Sequence, residues 1–380
     1  MKPASQPRNR DDSALAVTQS ESVAAVQGLS QSAASKNQPD KQPTAALGSD
    51  VGRIPALDFT KGALVLTMVL YHWLNYFVGV QGYYYRYLRF LSPSFIFITG
   101  FLITHVYISR PRIADSRSRR RLAIRGIKIL MIFIVMNSAI YMTPLKPGKR
   151  EALSNILSPA ALSLIFTGGN MRDGKLVAFY VLVPISYLLI MSACLLPVCR
   201  YYKHVFHAAT ILTVFAALIV SQSHRANGNL EMISFGLFGV SVGYVRMDRI
   251  NKCLKRQFMV VLAYLLYVVI ISVWGVPYLL QIVGVPLSLM CLYLLGKESN
   301  EDGQIAATLI RLGKYSLFGY IVQIFILQLL RRVMGVDLAM PRLMLSFLCA
   351  VTLTVISVGI VDRARTRIQI ADRLYRAVFS

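Results

Sequence analysis

Apolar residues gather into ten runs of about twenty, the length at which a helix crosses a hydrocarbon core. They occupy 62–80, 88–109, 122–143, 176–198, 204–222, 230–246, 257–274, 276–295, 315–334 and 341–362. The pattern predicts an all-α integral membrane bundle of about ten transmembrane helices, forming one domain over 53–362. Residues 1–52 break it: Ser, Ala, Gln and Asn dominate and no helical or strand period holds, which predicts a disordered tail. That tail carries no short apolar stretch with a cleavage site, so the first span is expected to insert uncleaved. One more apolar stretch, 152–168, is broken by Ser158-Pro159 and closed by Gly168-Gly169. It is too short to span, and reads as an interfacial or re-entrant helix on the non-cytoplasmic side.

Positive charge orients the bundle. Of 41 Lys and Arg residues, 28 fall in the termini and alternate loops, 11 in the opposite loops, and Arg125 and Lys128 inside the third span. By the positive-inside rule both termini are cytoplasmic, which makes 363–380 a basic cytoplasmic segment. The net charge of +24 is then a topology signal and an affinity for anionic membrane lipids. With no aromatic patch or nucleic-acid fold in evidence, it does not indicate a nucleic-acid partner. Cys194, Cys199, Cys253, Cys291 and Cys349 lie in or beside spans without metal-ligand spacing, so they read as buried thiols and no metal is expected. His204 and His207 stand at helical spacing but lack a nearby carboxylate, which argues against a metal site.

Ionisable residues in the first span change the picture most. Lys61 and His72 are separated by nearly three helical turns, so they share one face about 16 Å apart along the axis. Such groups are costly within a bilayer and mark functional sites by default. Histidine suits proton removal near neutral pH, and it also suits a helix–helix hydrogen bond, so two readings of His72 stand open. Asp58, three residues before Lys61, can pair with it near the cytoplasmic surface, as a functional pair or as an interfacial anchor.

Asp58-x-x-Lys61-Gly62 and Lys61-x10-His72 resemble the opening Asp-x-x-Arg-Gly turn and Arg-x10-His spacing of acyltransferase family three. That family belongs to the membrane-bound acyltransferases, with the glucan succinyltransferases and heparan-glucosaminide acetyltransferases. The segment from Ser94 through Thr99-Gly100-Phe101-Leu102 is similar to its second-span Phe-Phe-x-x-Ser-Gly-Phe-Leu, and Arg125-x-x-Lys128 to its Arg-x-x-Arg. Phe179-Tyr180-Val-Leu-Val-Pro184 resembles Phe-Tyr-Leu-Leu-x-Pro, and Gly313-x-x-Ser316-Leu317-x-x-Tyr320-x-x-Gln323 a late Gly-x-x-Ser-Leu-x-x-Tyr-x-x-His. The chain departs from the family where lysines replace arginines, where Gln323 replaces histidine, and where Asp173-Gly-Lys175 stands in place of a Trp-Ser-Leu-x-x-Glu segment.

The resemblance implies transfer of acetyl or succinyl from cytoplasmic acyl-coenzyme A to a hydroxyl of an extracytoplasmic carbohydrate or lipid-linked glycan, in a bacterial inner membrane. His72 would be the base, with Lys61 and Asp58 beside it, and Lys61, Arg125 and Lys128 would hold the donor's phosphates. Arg125 and Lys128 read equally as snorkelling cations. Ser94, Thr99, Tyr320 and Gln323 would line the acceptor side, or simply pack and bond neighbouring backbone. Glu231, at the outer start of the sixth span, would contact acceptor hydroxyls or serve the helix dipole. The competing class is a transporter or flippase with Asp58, Lys61 and His72 as an ion relay. It would show broken helices at matching places in two halves, and no such correspondence is present.

Overall fold

The computed structural model describes residues 54–79, 84–108, 116–142, 179–199, 201–202, 204–222, 228–299, 303–335 and 338–379. The tail at 1–52 and the stretch 152–168 lie outside the described residues. Helix α1 (Pro55–Trp73) follows extended Ile54, with Pro55 entering the first turn and Asp58 close behind, a rigid φ and a carboxylate where a helix start favours both. It runs on into a π-helical turn, Leu74–Val78, closed by Gly79 in the left-handed region. After the short α2 (Tyr85–Leu88), α3 (Leu91–Ile103) likewise passes into a π-helical turn, Thr104–Ile108. Then come α4 (Ser116–Met142), α5 (Leu182–Cys199), α6 (Val205–Gln222), α7 (Gly228–Gly243) and the short α8 (Met247–Leu254). The chain continues through α9 (Gln257–Trp274), α10 (Tyr278–Glu298), the short α11 (Gln304–Lys314), α12 (Ser316–Met334), α13 (Met340–Arg367) and α14 (Gln369–Phe379).

Among the described residues eight helical segments are long and apolar enough to cross a membrane, or nine if α7 and α8, bent by 97°, form one broken span. Helix α1 is less apolar because it carries Asp58, Lys61 and His72, yet it packs inside the bundle against α3, α10, α11, α12 and α13. With α1 included, each predicted apolar run falls on a helix, and the protein is an all-α integral membrane protein. Helices α6 and α9 present most of their surface outward, in rows of Leu, Val, Ile and Phe suited to lipid, whereas α3 and α5 are the most enclosed.

Lipid tails are as apolar as leucine, so close approach and internal hydrogen bonds hold such helices together. Helices α3 and α7 meet at Gly100, where a Cβ would collide with the carbonyl of Gly236, and the Thr104 hydroxyl donates to the Val240 carbonyl at 2.7 Å. The cysteines divide: Cys199 is buried and Cys291 and Cys349 are half-buried, but Cys194 and Cys253 are exposed. The expectation of buried thiols fails for those two. Hydropathy does not say which face of a span meets lipid, and Cys253 lies on the amphipathic α8.

Candidate functional site

The site begins with a backbone contact. A Cβ on Gly62 would collide with the carbonyl oxygen of Leu309, and one on Gly313 with that of Asp58. Helices α1 and α11 therefore run antiparallel with their backbones touching, and only glycine fits at those two crossings. This joins the Asp58-x-x-Lys61-Gly62 turn to the Gly313-Lys314-Tyr315-Ser316 segment. Asp58 is buried, and the Lys61 ammonium stands 2.5 Å from its Oδ1.

Beside this contact lies a cavity of about 240 Å³ lined by three cations from three elements: Lys61, Arg125 and Lys314. Thr99 and Ser316 add hydroxyls to its wall, and Tyr320 closes it one turn further along α12. The Thr99 hydroxyl also donates to the Phe95 carbonyl at 2.8 Å, so local backbone bonding accounts for part of its role. Tyr375 and Phe379 of α14 form another side. Burial pushes the Tyr375 hydroxyl up to about 12 against the pull of Arg365, so this ring stays neutral at physiological pH.

His72 lies outside the cavity, behind Tyr320. The two rings are 6.1 Å apart, and Tyr71 meets His72 edge-on at 5.2 Å. His72 falls in the last α-helical turn of α1, immediately before the π-helical turn, a feature frequent at functional sites. Its Nε2 is buried with no hydrogen-bond partner among the described residues. The same holds for the Ser94 hydroxyl and for both polar atoms of Gln323, one turn beyond Tyr320. Buried polar atoms are nearly always paired, so the open groups of His72 and Gln323 on either side of Tyr320 make this a candidate place for polar atoms from outside the chain.

The Phe-Tyr pair reaches the same tyrosine. Phe179 sits at φ 62° in the left-handed region, a conformation that costs a bulky residue about 1–3 kcal/mol. That geometry sets its ring edge-on against Tyr320 at 6.1 Å, while the Tyr180 hydroxyl donates to Asn229 Oδ1 at 2.8 Å. Lys128 does not line the cavity, which touches Arg125 and Ile129, the i and i+4 positions of α4, and passes the lysine by. Glu231 stands apart in the first turn of α7, where its carbonyl accepts from Ser234. Sequence reasoning missed Lys314, Tyr375 and Phe379. A basic, aromatic i,i+4 pattern near the C-terminus was the available signal for the last two.

A family model described as an acyltransferase domain matches residues 54–361. No curated protein and no solved structure matches the chain. The matched residues include every element carrying Asp58, Lys61, His72, Arg125 and Tyr320, and end within α13, before α14.

Proposed function

The chain belongs to the third family of membrane acyltransferases, and from that premise we propose that it moves an acetyl or succinyl group from cytoplasmic acyl-coenzyme A to a hydroxyl of an extracytoplasmic glycan or glycolipid. The observation that carries this reading is the cation-lined cavity abutting, through Tyr320, the half-buried His72 with its enclosed Nε2. Three fixed cations suit a donor with several phosphates, and Lys314 takes the place expected of Lys128. Asp58 holds Lys61 in position. The acceptor oxygen attacks the thioester carbonyl carbon while His72 Nε2 takes its proton. The carbon–sulfur bond then breaks, and the proton passes to the departing sulfur to leave coenzyme A as a thiol. Ser94 and Gln323 supply hydrogen bonds to the polar atoms that pass Tyr320, and Glu231 meets acceptor hydroxyls nearer the outer face.

Radiolabelled acetyl- or succinyl-coenzyme A supplied to the cytoplasmic face of membrane vesicles is expected to yield labelled glycan on the opposite face and an equal amount of free coenzyme A. No transfer from either donor overturns the reading.

The reading needs the cavity to face the cytoplasm of a bacterial inner membrane, as the 28-to-11 partition of basic residues favours. Reporters fused after Val245 and Ser380 are expected to read cytoplasmic, and one near Gly148 external. An external C-terminus would put the cavity on the wrong side for a cytoplasmic donor.

A further inference from the structure

Helix α14 lies beyond the residues matched by the family, yet it builds part of the cavity. It is docked firmly. Arg365, on α13, donates through Nε and Nη2 to Asp372 Oδ1 at 2.9 and 2.6 Å. The same guanidinium lies 4.2 Å from the Tyr375 ring centre and 5.3 Å from that of Tyr315. The Tyr315 hydroxyl donates to Asp362 Oδ1 at 2.9 Å, and Arg311 pairs with the other oxygen of that carboxylate at 3.2 Å. Phe379 stacks on Tyr375 at 4.8 Å and meets Phe318 edge-on at 6.1 Å. On the opposite face Ile370 and Leu374 are exposed, as suits a helix lying at a membrane surface.

An aromatic pair sharing one cavity with Lys61, Arg125 and Lys314 combines a flat apolar shelf with clustered positive charge. Those are the two features that recognise a nucleotide: rings stack on a base, and fixed cations take phosphates. We propose that α14 is a nucleotide-binding wall of this enzyme, with Phe379, backed by the Tyr375 ring stacked behind it, seating the adenine of the donor while Lys61, Arg125 and Lys314 hold its phosphates. This rests on the reading of the donor as acyl-coenzyme A. It makes the C-terminal helix the element that distinguishes the full donor from a shorter acyl thioester.

The probe is adenosine 3′,5′-bisphosphate, whose binding to the purified full chain is measured without turnover. It is expected to bind the wild type, and Phe379→Leu is expected to weaken it about tenfold, as loss of one stacking contact does. Phe379→Trp keeps a flat ring and should bind like the wild type, which separates stacking from a general packing role. In turnover, Phe379→Leu should lower about tenfold the ratio of kcat/KM for acetyl-coenzyme A to that for S-acetylpantetheine, which lacks the nucleotide. A wild type that turns over acetyl-coenzyme A but does not bind the bisphosphate, or a Phe379→Leu protein that binds it unchanged, would overturn the assignment and leave the donor reading standing. Binding of the bisphosphate by a wild type inert toward every acyl-coenzyme A would do the reverse.

Discussion

His72→Ala is expected to lower acyl transfer by about 10²–10⁴-fold, the usual cost of removing a general base, while donor binding stays near wild type. The structure sharpens that expectation. The ordinary use of a histidine in a bundle is a hydrogen bond to a neighbouring helix. His72 Nε2 has no such partner among the described residues, though it is buried beside a tyrosine that lines the candidate donor cavity. An alanine there loses the ring contacts with Tyr71 and Tyr320 and leaves the glycine crossings of α1 intact, so insertion and folding should survive. The measurement is acceptor-dependent release of coenzyme A by wild type and variant at matched abundance in membranes. Equal rates would remove His72 from the chemistry, and partial recovery by added imidazole would tie the loss to the missing base.

The membrane class and the placement of the spans were legible because a run of about twenty apolar residues has few other uses. The boundaries of α1 were not. Its apolar run begins at Gly62, yet the helix begins at Pro55, because the turn bearing Asp58 and Lys61 is pinned against α11 and does not end at water. Helix α11 itself gave no span signal: eleven residues with Arg311 and Lys314 read as loop, although the Gly313 crossing brings Lys314 to the cavity. Arg125 and Lys128 illustrate a second limit. Both sit on one side of α4, and only packing decides that the cavity meets the arginine and its i+4 neighbour. Gln323 looked like the loss of a titratable group. In the bundle it is a buried amide with both polar atoms open among the described residues, which composition and spacing cannot reveal.

Lys61→Ala should show two separable losses. Asp58 is only 6% exposed, and its carboxylate lies 2.5 Å from the lysine ammonium. Removing one member of a buried pair is destabilising, and Asp58 keeps a further interaction within the protein, so a modest fall in thermal midpoint and in folded yield on extraction is expected. If the lysine also contacts a donor phosphate, affinity for acyl-coenzyme A should fall by roughly 10- to 100-fold, the range of a lost hydrogen bond to a charged group. The double variant Asp58→Asn with Lys61→Ala separates the two, because neutralising the carboxylate relieves the buried charge without returning a cation to the cavity. It should regain much of the stability and none of the donor affinity. Lys61→Arg should keep the ion pair and hold the donor as well or better, since a planar guanidinium can grip phosphate with two parallel bonds. Donor affinity that recovers in the double variant would show that Lys61 serves only to neutralise Asp58, leaving Arg125 and Lys314 to account for the positive charge of the cavity.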